Sequence, residues 1–308
     1  MKISIIGAGN VGGLTALRLA QEGCAEIVLV DVAAGLALGK SLDLEDACSL
    51  VKADYRVHGT EDFQQIKDSD IVVVTAGLPR KPGMAREELL NKNAQILKDI
   101  CLKVKQLAPQ TILVIVTNPL DLMVYFAIKA TGFKANKVIG MGISLDSARF
   151  TNLIAKELKI SPLDINACVI GSHGEGMLPL ARLTTVKGVG LDEFIDKKKA
   201  EELTKRTIGR GLEIVTLLGS GSAYFAPSAA IAEIVRVIAK DQKRVIGISA
   251  LLEGKYGIKD ACMGVPCRLG KSGIEEIVEL NLNQEEKLAL LKSAEMIKQQ
   301  FNNLTVLP

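Results

Sequence analysis

Two histidines, His58 and His173, are all that the 308 residues contain, so chemistry that needs an imidazole has few candidates. The six cysteines, Cys24, Cys48, Cys101, Cys168, Cys262 and Cys267, form no Cys-x-x-Cys pair and no Cys/His cluster. Zinc-ligand spacing is therefore missing and no metal site is expected; buried, reduced thiols of an intracellular protein are. An excess of one charge is missing too. The formal net charge is +3, with Lys and Arg spread along the chain, which argues against a nucleic-acid partner. No apolar run reaches the ~20 residues that span a bilayer. The run Lys2–Ile6 is too short for a signal peptide and is broken at Gly7. A soluble, cytoplasmic protein without a membrane partner is the expectation. Low-complexity tracts and repeats other than a strand–helix alternation are also absent.

What is present is an ordinary globular composition, 48% apolar and 24% charged, in a chain long enough for two domains or one large one. Lys2 to Ile6 reads as a buried strand and runs into Gly7-Ala8-Gly9-Asn10-Val11-Gly12, a G-x-G-x-x-G pattern. Leu14, Leu17, Leu19 and Ala20 then recur on one helical face. The next apolar run, Ile27 to Val30, ends at Asp31, 19 residues after Gly12. A lone glycine pattern is weak evidence. Between a strand and a helix, with an acid closing the second strand, it is a specific dinucleotide-binding signature. Gly7 permits the tight turn, Gly9 lets the backbone approach a pyrophosphate, and Gly12 lets helix and strand pack closely. The helix N-terminus offers N–H groups and a positive dipole end to phosphate. Asp31 can accept the adenosine ribose hydroxyls and would repel a 2′-phosphate, which favours NAD over NADP.

The alternation continues. Helical Leu36–Leu50 precedes strand-like Tyr55–His58, and a short polar helix leads to the strand Ile71–Val74. Helical Glu87–Leu107 leads to Thr111–Val116, and a helix after Asn118-Pro119 leads to Lys137–Gly140. Near-continuous apolar strands alternating with helices indicate a doubly wound parallel sheet of Rossmann type, with the ligand crevice at the strands' carboxyl ends. The glycine loop, Thr75-Ala76-Gly77 and Val116-Thr117-Asn118-Pro119 face that crevice, as does the proline-stiffened loop Leu78–Arg86 with its two arginines. His58 has no acid or cysteine at a useful spacing and reads as structural or as lining the adenine side.

From Gly142 a mixed α+β domain is expected, which gives an α/β chain divided into a cofactor domain, 1–141, and a substrate domain, 142–308. Ile143 to Leu158 reads as an amphipathic helix with Asp146 and Arg149 three apart on one face; as an isolated surface pair they would be worth little. Ile165–Ile170 reads as a strand that delivers Gly171-Ser172-His173-Gly174-Glu175-Gly176. Glycines on both sides suggest an exposed, approachable imidazole, whose ordinary pKa of ~6.5 suits proton transfer near neutrality. Helices follow at Lys197–Leu218, Pro227–Lys240 and Gln284–Gln300, with strands at Arg244–Leu252 and Ala261–Arg268. The small-residue helices at Ala16–Ala20 and Ala226–Ala239 read as core or as subunit contacts.

These motifs carry a resemblance. Gly7–Gly12, Thr75–Arg86, Val116–Asp121, Leu145–Phe150 and His173-Gly174 occur in one order along nearly the whole chain. On them the chain resembles the lactate/malate dehydrogenase superfamily, and within it the lactate-dehydrogenase-like malate dehydrogenases. The resemblance implies reversible, NAD-dependent oxidation of (S)-malate to oxaloacetate, a cytoplasmic step of the tricarboxylic acid cycle. It implies His173 as the catalytic acid/base and Asp146 as the carboxylate that holds its tautomer. Arg149 would bind the substrate's C1 carboxylate, Arg86 would polarise the C2 oxygen, and Asn118 would orient substrate and contact cofactor. The implied cofactor residues are Gly7, Ala8, Gly9, Asn10, Val11, Gly12, Asp31, Thr75, Ala76, Gly77, Asn93, Val116, Thr117 and Asn118. Arg80 stands where the lactate enzymes carry a neutral glutamine, so a cation would meet a second carboxylate and favour malate over lactate. The loop carrying Arg80 and Arg86 would act as a lid that excludes water. A homotetramer is suggested, with a dimer as the alternative.

Some residues depart from the family's pattern. Ser172 and Glu175-Gly176 stand where relatives usually carry glycine and Asp-Thr or Asp-Ser, and Ser220 stands where lysine is common. Small Ser222 and Ala223 leave room beside a dicarboxylate. Two other functions stay open: an L-lactate or other 2-hydroxyacid dehydrogenase of the same fold, and a non-catalytic NAD-binding regulator.

Overall fold

Six short apolar runs build the first half: β1 (Lys2–Ile6), β2 (Glu26–Val30), β3 (Val57–Thr60), β4 (Ile71–Val74), β5 (Ile112–Ile115) and β6 (Val138–Gly140). They pair in parallel in the order 3-2-1-4-5-6. In the computed structural model, residues 1–23, 25–78 and 86–308 are described, apart from the Arg86 side chain. The helices α1 (Asn10–Gln21), α2 (Leu36–Val51), α3 (Arg86–Leu107) and α4 (Leu120–Thr131) connect the strands. Burial on both faces explains the unbroken apolar strands: Ile71, Val72, Val73 and Val74 are each at most 1% exposed. β3 begins two residues later than Tyr55 because the Tyr55 N–H donates to Cys48 Sγ at the end of α2, so pairing with β2 starts at Val57. His58 lies exposed on this edge strand.

The second half contains α5 (Ile143–Leu158), the short strands β7 (Ile165–Asn166), β8 (Val169–Gly171), β9 (Met177–Pro179), β10 (Thr185–Val186) and β11 (Val189–Gly190), then α6 (Lys197–Leu218) and α7 (Phe225–Ala239). β12 (Arg244–Leu251), β13 (Cys262–Gly270), β14 (Gly273–Ile277) and α8 (Gln284–Asn302) complete it. Its strands do not all form a sheet of their own. β12, β13, β8 and β9 continue the first sheet from β6 in antiparallel fashion, and β14 pairs with β13. Only β7, β10 and β11 pair separately. The sheet crosses from one half to the other at Gly140, where an added Cβ would lie 2.5 Å from Val124 Cγ2 and 2.7 Å from Ser249 Cβ.

The start of α5 crosses the new strands at two further glycines. A Cβ on Gly264 would lie 1.8 Å from Ile143 Cγ1, and one on Gly247 would lie 2.9 Å from Ile143 Cγ2. This close approach sets the first turn of α5, with Asp146, against the sheet. α1 and α7 pack on each other, with Arg18 Nε donating to Ser228 Oγ at 3.0 Å. Cys101, Cys262 and Cys267 are buried free thiols. Burial pushes Cys101 and Cys267 up to about 12, which leaves them as inert thiols. Among the described residues no helix is long and apolar enough to cross a membrane.

Candidate active site

The glycine loop leaves β1 at the point where the strand order reverses. Gly7 has φ +106°, and an added Cβ would lie 2.7 Å from Ala76 N. A Cβ on Gly12 would lie 1.8 Å from Gly7 O, so only glycine lets α1 approach the strand this closely. Around Gly9, by contrast, no other described residue lies within 4 Å of that position. Gly9 and Asn10 at the N-terminus of α1 are exposed, and Lys40 Nζ reaches over to donate to Gly9 O at 3.0 Å. That is the arrangement an anionic pyrophosphate requires.

Asp31, at the end of β2, accepts Ala8 N–H at 2.6 Å and Ala33 N–H at 2.9 Å. Each carboxylate oxygen keeps a further lone pair for a ribose hydroxyl. Thr75 Oγ1 donates to Gly7 O at 2.9 Å and Thr117 Oγ1 donates to Ala76 O at 2.6 Å, which ties the three crevice segments together. Asn93 is 3% exposed. Its Oδ1 accepts Leu78 N–H at 2.8 Å and its Nδ2 donates to Asn118 O at 3.0 Å. This amide is engaged by the backbone of the crevice walls. Asn118 itself is exposed there.

On the far wall stands a charged cluster. Asp146 is fully buried; its Oδ2 lies 2.7 Å from His173 Nδ1 and its Oδ1 accepts Arg149 Nη1–H at 3.0 Å. An ionised carboxylate can only accept, so Nδ1 carries the hydrogen and Nε2 is the nitrogen free to exchange a proton. The pair is no surface ion pair: the Arg149 side chain is 12% exposed and rests against Gly211 of α6. Burial pulls the His173 pKa down. The charge and hydrogen bond of Asp146, with the charge of Asp121 added, outweigh burial and the opposing Arg149, so the net shift is upward.

The imidazole is not exposed as the flanking glycines suggest; its side chain is 17% accessible. The glycines serve the turn. Gly171 and Gly174 have φ +95° and +104°, and a Cβ on Gly171 would lie 2.5 Å from Gly176 O. Gly176 in turn has Ser293 Oγ and Ser172 Oγ within 2.9 Å of where a Cβ would sit. Ser172 and Gly176 thus belong to one tight loop, closed by Ser172 N–H donating to Gly176 O.

One residue in this cluster was not a candidate. Asp121, in the first turn of α4, accepts the His173 backbone N–H at 2.7 Å and the Ser249 hydroxyl at 2.6 Å. A single acid in a helix that is otherwise almost wholly apolar and buried was the available signal. Arg80 and the lid segment lie outside the described residues, and so does the side chain of Arg86.

Comparison with known proteins fits this geometry. Residues 1–140 match the family model of the lactate/malate dehydrogenase NAD binding domain, and residues 143–306 match that of the lactate/malate dehydrogenase alpha/beta C-terminal domain. A malate dehydrogenase of Methanosarcina mazei is 47% identical over 306 residues, covering 99% of this chain and all of the relative. The malate dehydrogenase structure from Salinibacter ruber superposes with a TM-score of 0.93 at 40% identity, over 98% of this chain and 97% of that one. A lactate dehydrogenase of Cryptosporidium parvum, solved with lactic acid and nicotinamide adenine dinucleotide, superposes with a TM-score of 0.95 at 37% identity, over 100% and 98%.

Proposed function

The chain belongs to the lactate/malate dehydrogenase family, and from that premise we propose that it is an NAD-dependent enzyme that interconverts (S)-malate and oxaloacetate. The observation that carries the mechanism is the buried Asp146, which holds His173 and Arg149 on its two oxygens. When bound, NAD would supply the acceptor for the hydride that leaves C2 of the substrate. His173 takes the hydroxyl proton on Nε2 in that direction and returns it in the other. Asp146 holds the ring in the required tautomer and stabilises the imidazolium. Arg149 keeps four of its five N–H donors free of Asp146 and clamps the C1 carboxylate.

Asn118 orients the substrate and contacts the cofactor, and Asn93, a cofactor contact as well, braces the wall that carries Asn118. Gly7–Gly12, Asp31, Thr75–Gly77 and Val116–Asn118 would hold the cofactor. Arg86 polarises the C2 oxygen. Arg80 supplies the second cation that a dicarboxylate needs and a monocarboxylate does not. The two family-model spans support a division into a cofactor domain, 1–141, and a substrate domain, 142–308. Leu38 and Leu42 of α2, Leu212 and Leu217 of α6, and Phe225 are exposed large apolar side chains, which supports burial against further copies of the chain in a homotetramer. A cytoplasmic step of the tricarboxylic acid cycle completes the reading.

The test is NADH consumption with a series of 2-oxoacids, with NADPH as control. Turnover of oxaloacetate with NADH, and little with NADPH, is expected. NADH binding without turnover of any 2-oxoacid would instead make the chain a regulator.

A further inference from the structure

The cluster holds two carboxylates, and the reaction as described uses one. Asp121 is 4% exposed and joins three distant parts of the chain. It sits on α4, three residues after Asn118. Its Oδ2 accepts the backbone N–H of His173, 52 residues away, and its Oδ1 accepts the hydroxyl of Ser249, 128 residues away on β12. Asn118 O is fixed in turn by Asn93, whose other amide atom holds Leu78 N–H. The wall that presents Asn118 and the loop that presents His173 are therefore pinned to each other through one buried side chain.

A link between α4 and β12 alone needs no charge, because a neutral amide or hydroxyl can bridge two donors and acceptors. Burying an ionised carboxylate is costly. Burial pushes the Asp121 carboxyl up to about 6, with Ser249 and the His173 N–H pulling it back. Both of its contacts, the His173 N–H and the Ser249 hydroxyl, donate to it, which is the pairing that suits a carboxylate. The charged groups acting on Asp121 are His173 and Asp146 on α5; the neutral Cys262 thiol on β13 faces it with Lys129 of α4 beyond, and Arg149 of α5 acts on His173. Among the described residues, two carboxylates and one guanidinium act on the imidazole, a balance that favours the imidazolium.

We propose that Asp121 is a positioning residue for the acid/base step: it fixes the His173 backbone at a set distance from Asn118, and its charge helps to hold the proton on the ring. The proposal rests on His173 being the acid/base.

Asp121→Asn and Asp121→Ala test it. In Asp121→Asn the amide oxygen can accept the His173 N–H and the amide nitrogen can donate to Ser249 Oγ, so the shape is kept and only the charge is lost. The expected result is a folded enzyme with unchanged KM for NADH, whose oxaloacetate-reduction profile loses activity at lower pH than the wild type. Asp121→Ala frees the loop and is expected to lower kcat about 10²-fold, the scale of a 1 Å misplacement. An unmoved pH profile in Asp121→Asn would overturn the proposal, even if Asp121→Ala fails to fold. His173→Ala in the same assay separates the premises. Wild-type turnover there would sink the acid/base reading and this proposal together, whereas its loss with an unmoved Asp121→Asn profile would sink this proposal alone.

Discussion

At the scale of the residue, the imidazole of His173 carries the account. Its removal in His173→Ala is expected to lower kcat by several orders of magnitude, while NADH titration gives a near wild-type Kd, because the glycine loop lies on the other wall. Equal loss of both would contradict the role assigned. The pH dependence follows from the direction of the shift. The folded-state pKa lies above the ordinary ~6.5, and oxaloacetate reduction consumes the protonated form. Reduction should therefore stay high through neutrality and fall as pH rises through the raised pKa. Malate oxidation needs the neutral ring and should rise over the same window. Steady-state kcat/KM profiles in both directions check this; a reduction limb that falls below pH 6 would contradict it.

At the scale of the element, two glycines separate binding from chemistry. Gly12→Ala would place a Cβ 1.8 Å from Gly7 O and wedge α1 away from β1. Overpacking of this kind costs about 1–3 kcal/mol, and the displaced helix terminus should appear as a raised KM for NADH. Gly171→Ala combines φ +95° with a contact of 2.5 Å to Gly176 O. It should lower kcat and Tm and leave NADH affinity near wild type. Kinetics and thermal unfolding of both variants read out this separation.

The same scale shows what could be read in advance. β1, α1 and β2 were legible because unbroken apolar runs and a period-3.6 pattern meet at glycines with a physical purpose. The long amphipathic α5 was legible for the same reason. β9, β10, β11 and β14 were not foreseen, since two to five residues are too few to show an alternation. The burial of His173 was misread because glycine reports backbone freedom, and what covers the ring comes from α5, remote in sequence. Asp121 was missed because its partners lie 52 and 128 residues away, a distance no local pattern reports.

At the scale of the whole molecule, the two halves share one sheet, and the site forms where α4, α5 and the loop after β8 meet beside the cofactor crevice. The proposed homotetramer predicts a solution mass of four times the 32.9 kDa chain by light scattering, with the exposed leucines of α2 and α6 covered by other copies. Leu42→Glu, at a half-exposed position, should lower that mass; a monomeric wild type would contradict the tetramer. Substrate choice is less visible in the fold, since malate and lactate dehydrogenase structures superpose equally well. It rests on the curated relatives and on Arg80, which lies outside the described residues. The most direct measurement is kcat/KM for oxaloacetate and for pyruvate with NADH, side by side in the wild type and in Arg80→Gln. The account predicts a preference for oxaloacetate of roughly 10⁴-fold in the wild type, reduced or reversed in Arg80→Gln. A wild type that prefers pyruvate would contradict it.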